Sequence, residues 1–496
     1  MGATRSACYD PHAVRVRPFL AVMALVACFS ESSEVDSAGD TTTGGADETS
    51  GARTGSGTDS GADTTTGTTA SESDTAQLDT STSDTATTDS TGMPVAGCGN
   101  GETEGDEECD DANDDPTDGC HLCRASGSVL WEAWNATSSN RDGVAAIAVD
   151  SQDNIYAAGL VGAGGGTDLW LRKFAPNGDT DWTRTPHPSV EPVGDLFFDV
   201  VIGPNDTILA AGQVFEPGQA FNFIVVTYDA NGDLVDELFE DSSATGGIDG
   251  ATSVAINGSG TLVSSGYRSE SGPDTVAVVR LHDGSATEPR YEDGFGPGQT
   301  FATGWKLQLE GGNLRTALLL GNQVEIVGWN AGFGDGSPTW TQPIAGPLAY
   351  SLSVDVLEPV PVVIEGDGTT VVCTNVDTGA GRDAQLTRID VGGSVSSNEL
   401  VDVDGADDLC GGIAVLGNGD LAIVTSADYS GNDGDFIVTR RSPAGETRWQ
   451  VALPPVAAGR PRAFAVAVDS EGLLLVGGSR NQRPGDADAY IAKLVP

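Results

Sequence analysis

The chain has 496 residues, 73 acidic against 24 basic, and a formal net charge of −49. No stretch is basic enough to neutralise phosphates, which excludes nucleic-acid binding. The longest apolar run, Phe19 to Phe29, is too short to span a bilayer as a helix.

Residues 1–27 read as a signal peptide: Arg5, Arg15 and Arg17 precede a short apolar run that ends in small residues. The last of these with the next residue, Leu25-Val26-Ala27-Cys28, resemble the lipobox of bacterial lipoproteins. In that family the cysteine thiol carries a diacylglycerol and the peptide is cut before it. The resemblance implies a membrane anchor at Cys28 and a place in the bacterial cell envelope, at the outer membrane or cell surface. Residues 28–97 follow as a tether. Between Glu31 and Gly92 stand 29 Ser or Thr and 13 acidic residues, with Val35 and Leu78 the only sizeable aliphatics. Nothing there offsets the entropy of ordering, so the segment is predicted to be disordered.

Residues 98–124 contain four of the eight cysteines, Cys98, Cys109, Cys120 and Cys123, and no aromatic residue. A segment this short has almost no core, and cross-links must hold it. Three connectivities are possible. Zinc would rest on Cys120-x-x-Cys123 with His121, but the other two cysteines do not form a second close pair. Cys98-Gly99-Asn100-Gly101, Glu107-Glu108-Cys109-Asp110-Asp111 and Asp118-Gly119-Cys120-His121-Leu122-Cys123 resemble the myxobacterial cysteine-rich repeat, with Ala112 where that family has glycine. The resemblance implies a surface protein, not an activity. The acidic residues of this module invite calcium, but solvated charge is the simpler reading; no cofactor and no metal site is expected.

From residue 125 onward the chain repeats itself. The clearest unit is Ala146 to Asp150, a turn, Ile155 to Gly159, a Gly-rich loop, Asp168 to Phe174, a Pro176-Asn177-Gly178 turn, and Trp182. Each segment has strand length and is bounded by turn residues, which makes a four-stranded antiparallel meander. The second-strand position recurs at Gly159, Gly212, Gly266, Gly328, Cys373, Ser426 and Gly478. The predicted fold is all-β, a seven-bladed propeller (six to eight) over 125–496. The last repeat lacks a fourth strand, and the Gly-x3-Trp pattern of Gly178–Trp182 and Gly445–Trp449 recurs at Gly127–Trp131. Residues 127–134 are therefore expected to complete the last blade and leave no open edge. Cys373 and Cys410 fall on one face of neighbouring blades and are expected to form a disulfide.

Candidate chemistry is sparse. An Asp opens the third strand at Asp168, Asp274, Asp383, Asp435 and Asp488, with a base five or six residues later. Repetition at equivalent positions argues for a structural role. The histidines, His12, His121, His187 and His282, fall in separate places and form no catalytic or metal-ligating set. Asp229-Ala230-Asn231-Gly232-Asp233 reads as a turn between strands, not a calcium loop.

Ala148-Val149-Asp150 followed by Asn154-Ile155-Tyr156-Ala157-Ala158-Gly159 resembles the repeat of bacterial extracellular propellers. The Gly-x3-Trp pattern is similar to the docking motif of quinone-dependent dehydrogenase propellers and of the propeller lipoproteins of the outer-membrane assembly machinery. The function expected is a non-enzymatic binding module for an envelope protein or glycan. The alternatives are a quinone-dependent dehydrogenase, a hydrolase or lyase, or an assembly scaffold. The connections between second and third strands share one face, and Phe215, Tyr267, Trp329, Phe333, Tyr429 and Asp433 are the expected ligand contacts on it.

Overall fold

The computed structural model describes residues 98–496 apart from positions 106, 114, 116–117, 136–141, 164–165, 187–193, 217–220, 241–247, 259, 270–274, 284–285, 294–301, 331–336, 351–357, 402–406, 428–433, 454–460 and 484–485. The lipidation candidate Cys28 and the tether lie outside the described residues. So do His12, His187, Asp274, Phe333, Tyr429 and Asp433.

Seven four-stranded antiparallel sheets form a seven-bladed propeller. First strands of successive blades pack against one another and surround the axis. Because the sheets stack face to face, both faces of the middle strands are covered. Leu421–Ala427 is buried throughout, and the outermost Val395–Val401 is mostly exposed.

The recurring glycine has a physical cause. Six of the first strands slip register once, for example between Val144 and Ala146, Phe197 and Asp199, Ala251 and Ser253, and Ala463 and Ala465. Such a bulge bends the strand toward its partner. Opposite stand Gly159, Gly212, Gly266 and Gly478, where a Cβ would overlap a backbone carbonyl oxygen of the first strand. None of the four has a positive φ, so the requirement is close approach and not backbone freedom.

Blade four departs from this pattern. Its small residue is Gly304 on the first strand, Ala302–Glu310, and it faces Leu318 on the second, Asn313–Leu320. Gly328 therefore lies in the third strand, Gln323–Trp329, and not at the end of the second. The connection after Trp329 leads to the fourth strand, so it emerges on the opposite face from the one expected.

Blades are joined at the rim by tryptophans. Trp131, Trp182 and Trp340 of outer strands lie against Gly178, Gly232 and Gly393 in the hairpin turn of the following blade. A Cβ on those glycines would fall 2.6–2.8 Å from the indoles. Here φ is positive as well, 88°, 78° and 88°. Trp131 and Trp340 donate Nε1–H to Pro176 O and Val391 O, both at 3.0 Å.

The last blade is completed by Val129–Asn135, which pairs antiparallel with Asp486–Leu494. Gly127 N–H donates to Val495 O at 2.9 Å and Ser126 Oγ to Pro496 O at 2.6 Å. The cysteine module joins the ring at this point, with disulfides Cys98–Cys123 and Cys109–Cys120. Glu108 ties the two together. It accepts from Ser128 Oγ at 2.6 Å, Arg124 Nη1 at 2.8 Å and Ala125 N–H at 3.1 Å. The Ser128 hydroxyl foremost, with Arg124 and Ala125, holds its carboxyl below the usual range.

Gly212→Ala is expected to lower the midpoint of urea unfolding, at a cost of about 1–3 kcal/mol, because the Leu196 carbonyl must move. Gly258→Ala, which meets nothing within 4 Å, is expected to stay within about 0.5 kcal/mol of the parent protein.

Candidate functional site

The two faces of the ring are built differently. One carries the turns between first and second and between third and fourth strands, most of them short and closed by an Asp or Asn side chain. Asp150 accepts from Gln152 and Asn154 N–H, both at 2.9 Å, and Asp469 accepts from Glu471 and Leu473 N–H at 3.0 and 2.8 Å. Asp229 accepts from Asn231 and Asp233 N–H, both at 2.9 Å. The segment from Asp229 to Asp233 is thus a closed turn, as its composition implied.

The opposite face carries the second-to-third connections and the crossovers between blades. These differ in length, from 164–165 within blade one to 344–361 between blades four and five. Their roots are pinned. Asp142, Asp195 and Asp408 stand just before first strands and donate N–H to Ala487 O, Thr167 O and Arg382 O of the preceding blade. Asp142 and Asp195 also accept, from Gly162 and Phe215 N–H, both at 2.7 Å. Sequence reasoning missed these residues. Their signal is an acid immediately before the first strand, at Asp142, Asp195 and Asp408, or opening it, at Asp249.

The structure brings two of the expected ligand contacts together. Phe215 is half-buried and meets Phe221 edge-on at 5.8 Å across the hairpin. Tyr267, of the next blade, is buried beside Phe221 and hydrogen-bonded to Gln213. Its ring ties blade three to blade two, so it is not a presented contact. Trp329 departs further from expectation: it is fully buried in the core of blades three and four.

The third-strand acids and bases do not pair with each other in the described residues. Lys493 bonds Asp469 at 2.7 Å, Arg440 bonds Asp420 at 2.8 Å, and Arg388 lies 3.5 Å from Glu365. Each of these three bases thus reaches an acid in the first turn of its own blade, while Lys173 lies 3.3 Å from Asp181 on the fourth strand of blade one. Cys373 and Cys410 form a disulfide between blades five and six. Beside it Asn375 accepts from Cys410 N–H at 2.9 Å and donates to buried Glu358 at 3.2 Å, which Arg382 approaches at 2.6 Å.

Three further clusters bring polar or titratable side chains together. Glu107, Asp110 and Cys123 lie close together, but Cys123 is oxidised, and Asp110 already accepts from Gly99, Asn100, Gly101 and Ala112 N–H. That arrangement anchors a loop and leaves no ligand set for a cation. Around the axis, buried Asp199 of blade two is bonded by Ser253 Oγ of blade three and by Lys306 of blade four at 2.5 Å. Phe198 and Trp305 meet edge-on at 5.8 Å between blades two and four. This group clamps three blades from inside.

The third cluster is Ser264 Oγ at 2.7 Å from His282 Nε2. Ser264 is fully buried and His282 Nδ1 has no hydrogen-bond partner, so no acid orients the imidazole. Burial, and next the nearby Arg280 charge, push His282 down to about 4. The folded protein therefore binds this proton less readily than the unfolded chain, whose histidine titrates near 6.5. The stability this difference protects is complete above about pH 6.5. It is lost as pH falls toward 4, by at most about 3 kcal/mol. His282→Gln is expected to flatten that part of the stability–pH curve relative to the parent, measured by urea unfolding between pH 4 and 7.

No protein-family model matches the chain, and no curated protein matches it. Among solved structures, a catalytically inactive virginiamycin B lyase from Staphylococcus aureus with quinupristin is similar at a TM-score of 0.45 and 10% identity. The match covers 73% of this chain and 99% of that one. A polysaccharide lyase is similar at 0.43 and 10%, over 73% and 91% of the two chains. Sqt1 from Chaetomium thermophilum is similar at 0.38 and 12%, over 71% and 95%. At these values nothing of their activities transfers to this chain.

Proposed function

We propose that the protein is a lipid-anchored component of the bacterial cell envelope that presents its propeller as a non-enzymatic binding module for a protein or glycan. One observation carries the reading: a ring with one face of mostly short, closed turns and one face of connections that differ in length on pinned roots. Rigid roots with variable tips are the arrangement by which loops on a scaffold provide recognition. The buried Ser264–His282 pair and the oxidised Cys123 add no rival chemistry. The Leu25-Val26-Ala27-Cys28 sequence supports the anchor, and the Ser/Thr-rich stretch after it supports a spacer of about 45 Å between membrane and ring.

Two measurements test this. Metabolic palmitate labelling is expected to mark the parent protein and not Cys28→Ala, which should leave the membrane fraction. An unlabelled parent protein would end the anchor reading. Separately, a short tag inserted after Ala380, in the exposed second-to-third connection of blade five, is expected to reduce capture of envelope proteins or polysaccharides by about tenfold. The same tag after Gly258, in a turn of the other face, is expected to leave capture unchanged. The reverse pattern would move the binding surface to the turn face.

A further inference from the structure

Blade two differs from its neighbours at the outer rim. Its fourth strand, Leu234–Glu240, is the edge of its sheet and pairs only with the third strand among the described residues. It opens with Leu234 and Val235, 54% and 60% exposed, the most exposed large apolar side chains among the described residues. Beside them a groove of about 360 Å³ runs between this hairpin and the end of blade one. Pro186, Tyr228 and Leu234 give it apolar walls, and Asp233 and Glu237 border it. Burial pushes the Tyr228 hydroxyl up to about 12, so it stays neutral.

Exposed acids border the groove. Arg184, the cation that lines it, has its guanidinium committed to Gly232 O at 2.6 Å, Thr183 O at 3.1 Å and Asn231 O at 3.2 Å, and lies 5.0 Å from the centre of the Trp182 ring. Asp233, Asp236 and Glu237 are exposed. A sheet edge next to an apolar slot and three exposed carboxylates matches one kind of occupant: an extended chain with alternating apolar and basic side chains.

We propose that this edge docks an extended basic segment of a partner protein, which adds to Leu234–Glu240 as a fifth strand. Main-chain hydrogen bonds supply affinity, an apolar side chain enters between Pro186, Tyr228 and Leu234, and Lys or Arg faces the carboxylates. The net charge of −49 steers such a segment toward the protein. The inference rests on the reading of the protein as a binding module, but its site is at the rim and not on the loop-bearing face.

The probe is a fluorescent decapeptide alternating Lys and Val, titrated with the full chain and followed by anisotropy. Saturable binding is expected, weakened about tenfold both by Asp236→Lys with Glu237→Lys and by Leu234→Ser with Val235→Ser. A peptide of the same sequence with alternate amides N-methylated keeps its charge but cannot pair, and it is expected to lose binding. Equal binding of the methylated peptide, parental affinity in both variants, or no saturable binding of the unmodified peptide overturns the proposal. The tag after Ala380 is expected to leave peptide binding unchanged, which separates failure at this rim from failure of the loop face.

Discussion

The antiparallel pairing of Val129–Asn135 with Asp486–Leu494 closes seven sheets into a ring. The closing strand works on both sides. Trp134 lies 4.6 Å from the Tyr490 ring within blade seven, and Trp131 covers the Gly178 turn of blade one. One strand thus completes a sheet and docks that sheet on its neighbour. Ser126, Gly127 and Ser128 continue the work by holding Val495 and Pro496, and Glu108 fixes Ser128 from a module cross-linked by two disulfides. Without this pairing, blade seven would present a free edge and blade one would lose the indole over its turn.

Much of this was legible because it repeats. Strand period and turn residues carry blade number, since each is a local requirement met again from unit to unit, and the Gly-x3-Trp pattern, present three times, carries closure. The second-strand glycine was legible as a recurrence, but its cause was not. The carbonyl that excludes a Cβ belongs to another strand, and only the pairing shows it. Blade four shows the cost of reading the mark without the mechanism. Leu318 stands opposite Gly304 in its second strand, and Gly328 serves the Trp340 ring from the third strand. Tyr267 and Trp329 were misjudged for a related reason. An aromatic residue at a strand end looks presentable in sequence, yet the neighbouring blade covers Tyr267 through Gln213, and blades three and four enclose Trp329.

The acidity of the chain is managed differently inside and outside. Half-buried carboxylates such as Asp110 and Asp229 close their own loops by accepting backbone N–H groups, which holds both below the usual range. Several buried ones are matched to bases: Asp420 with Arg440, Asp469 with Lys493, Glu358 with Arg382. Removing one member of such a pair leaves an uncompensated charge in a poorly solvated place, a cost far above that of a surface ion pair. Because the acid in the first turn and the base in the third strand belong to one blade, each blade arrives at its neighbours with these charges settled.

Ring closure also sets an order of events during synthesis. A ribosome delivers Val129–Asn135 before any other ring strand and Asp486–Leu494 after all of them. At translation rates of about 5–20 residues per second, the first waits roughly twenty seconds to over a minute for the second. Blades one to six can form behind it, each from a continuous stretch of nascent chain. The strand that joins the ends cannot. Throughout that interval Trp131 and Trp134 have no partner from blade seven, and any chaperone or translocation machinery that handles the chain meets them first. Closure of the ring therefore waits for the last of its strands.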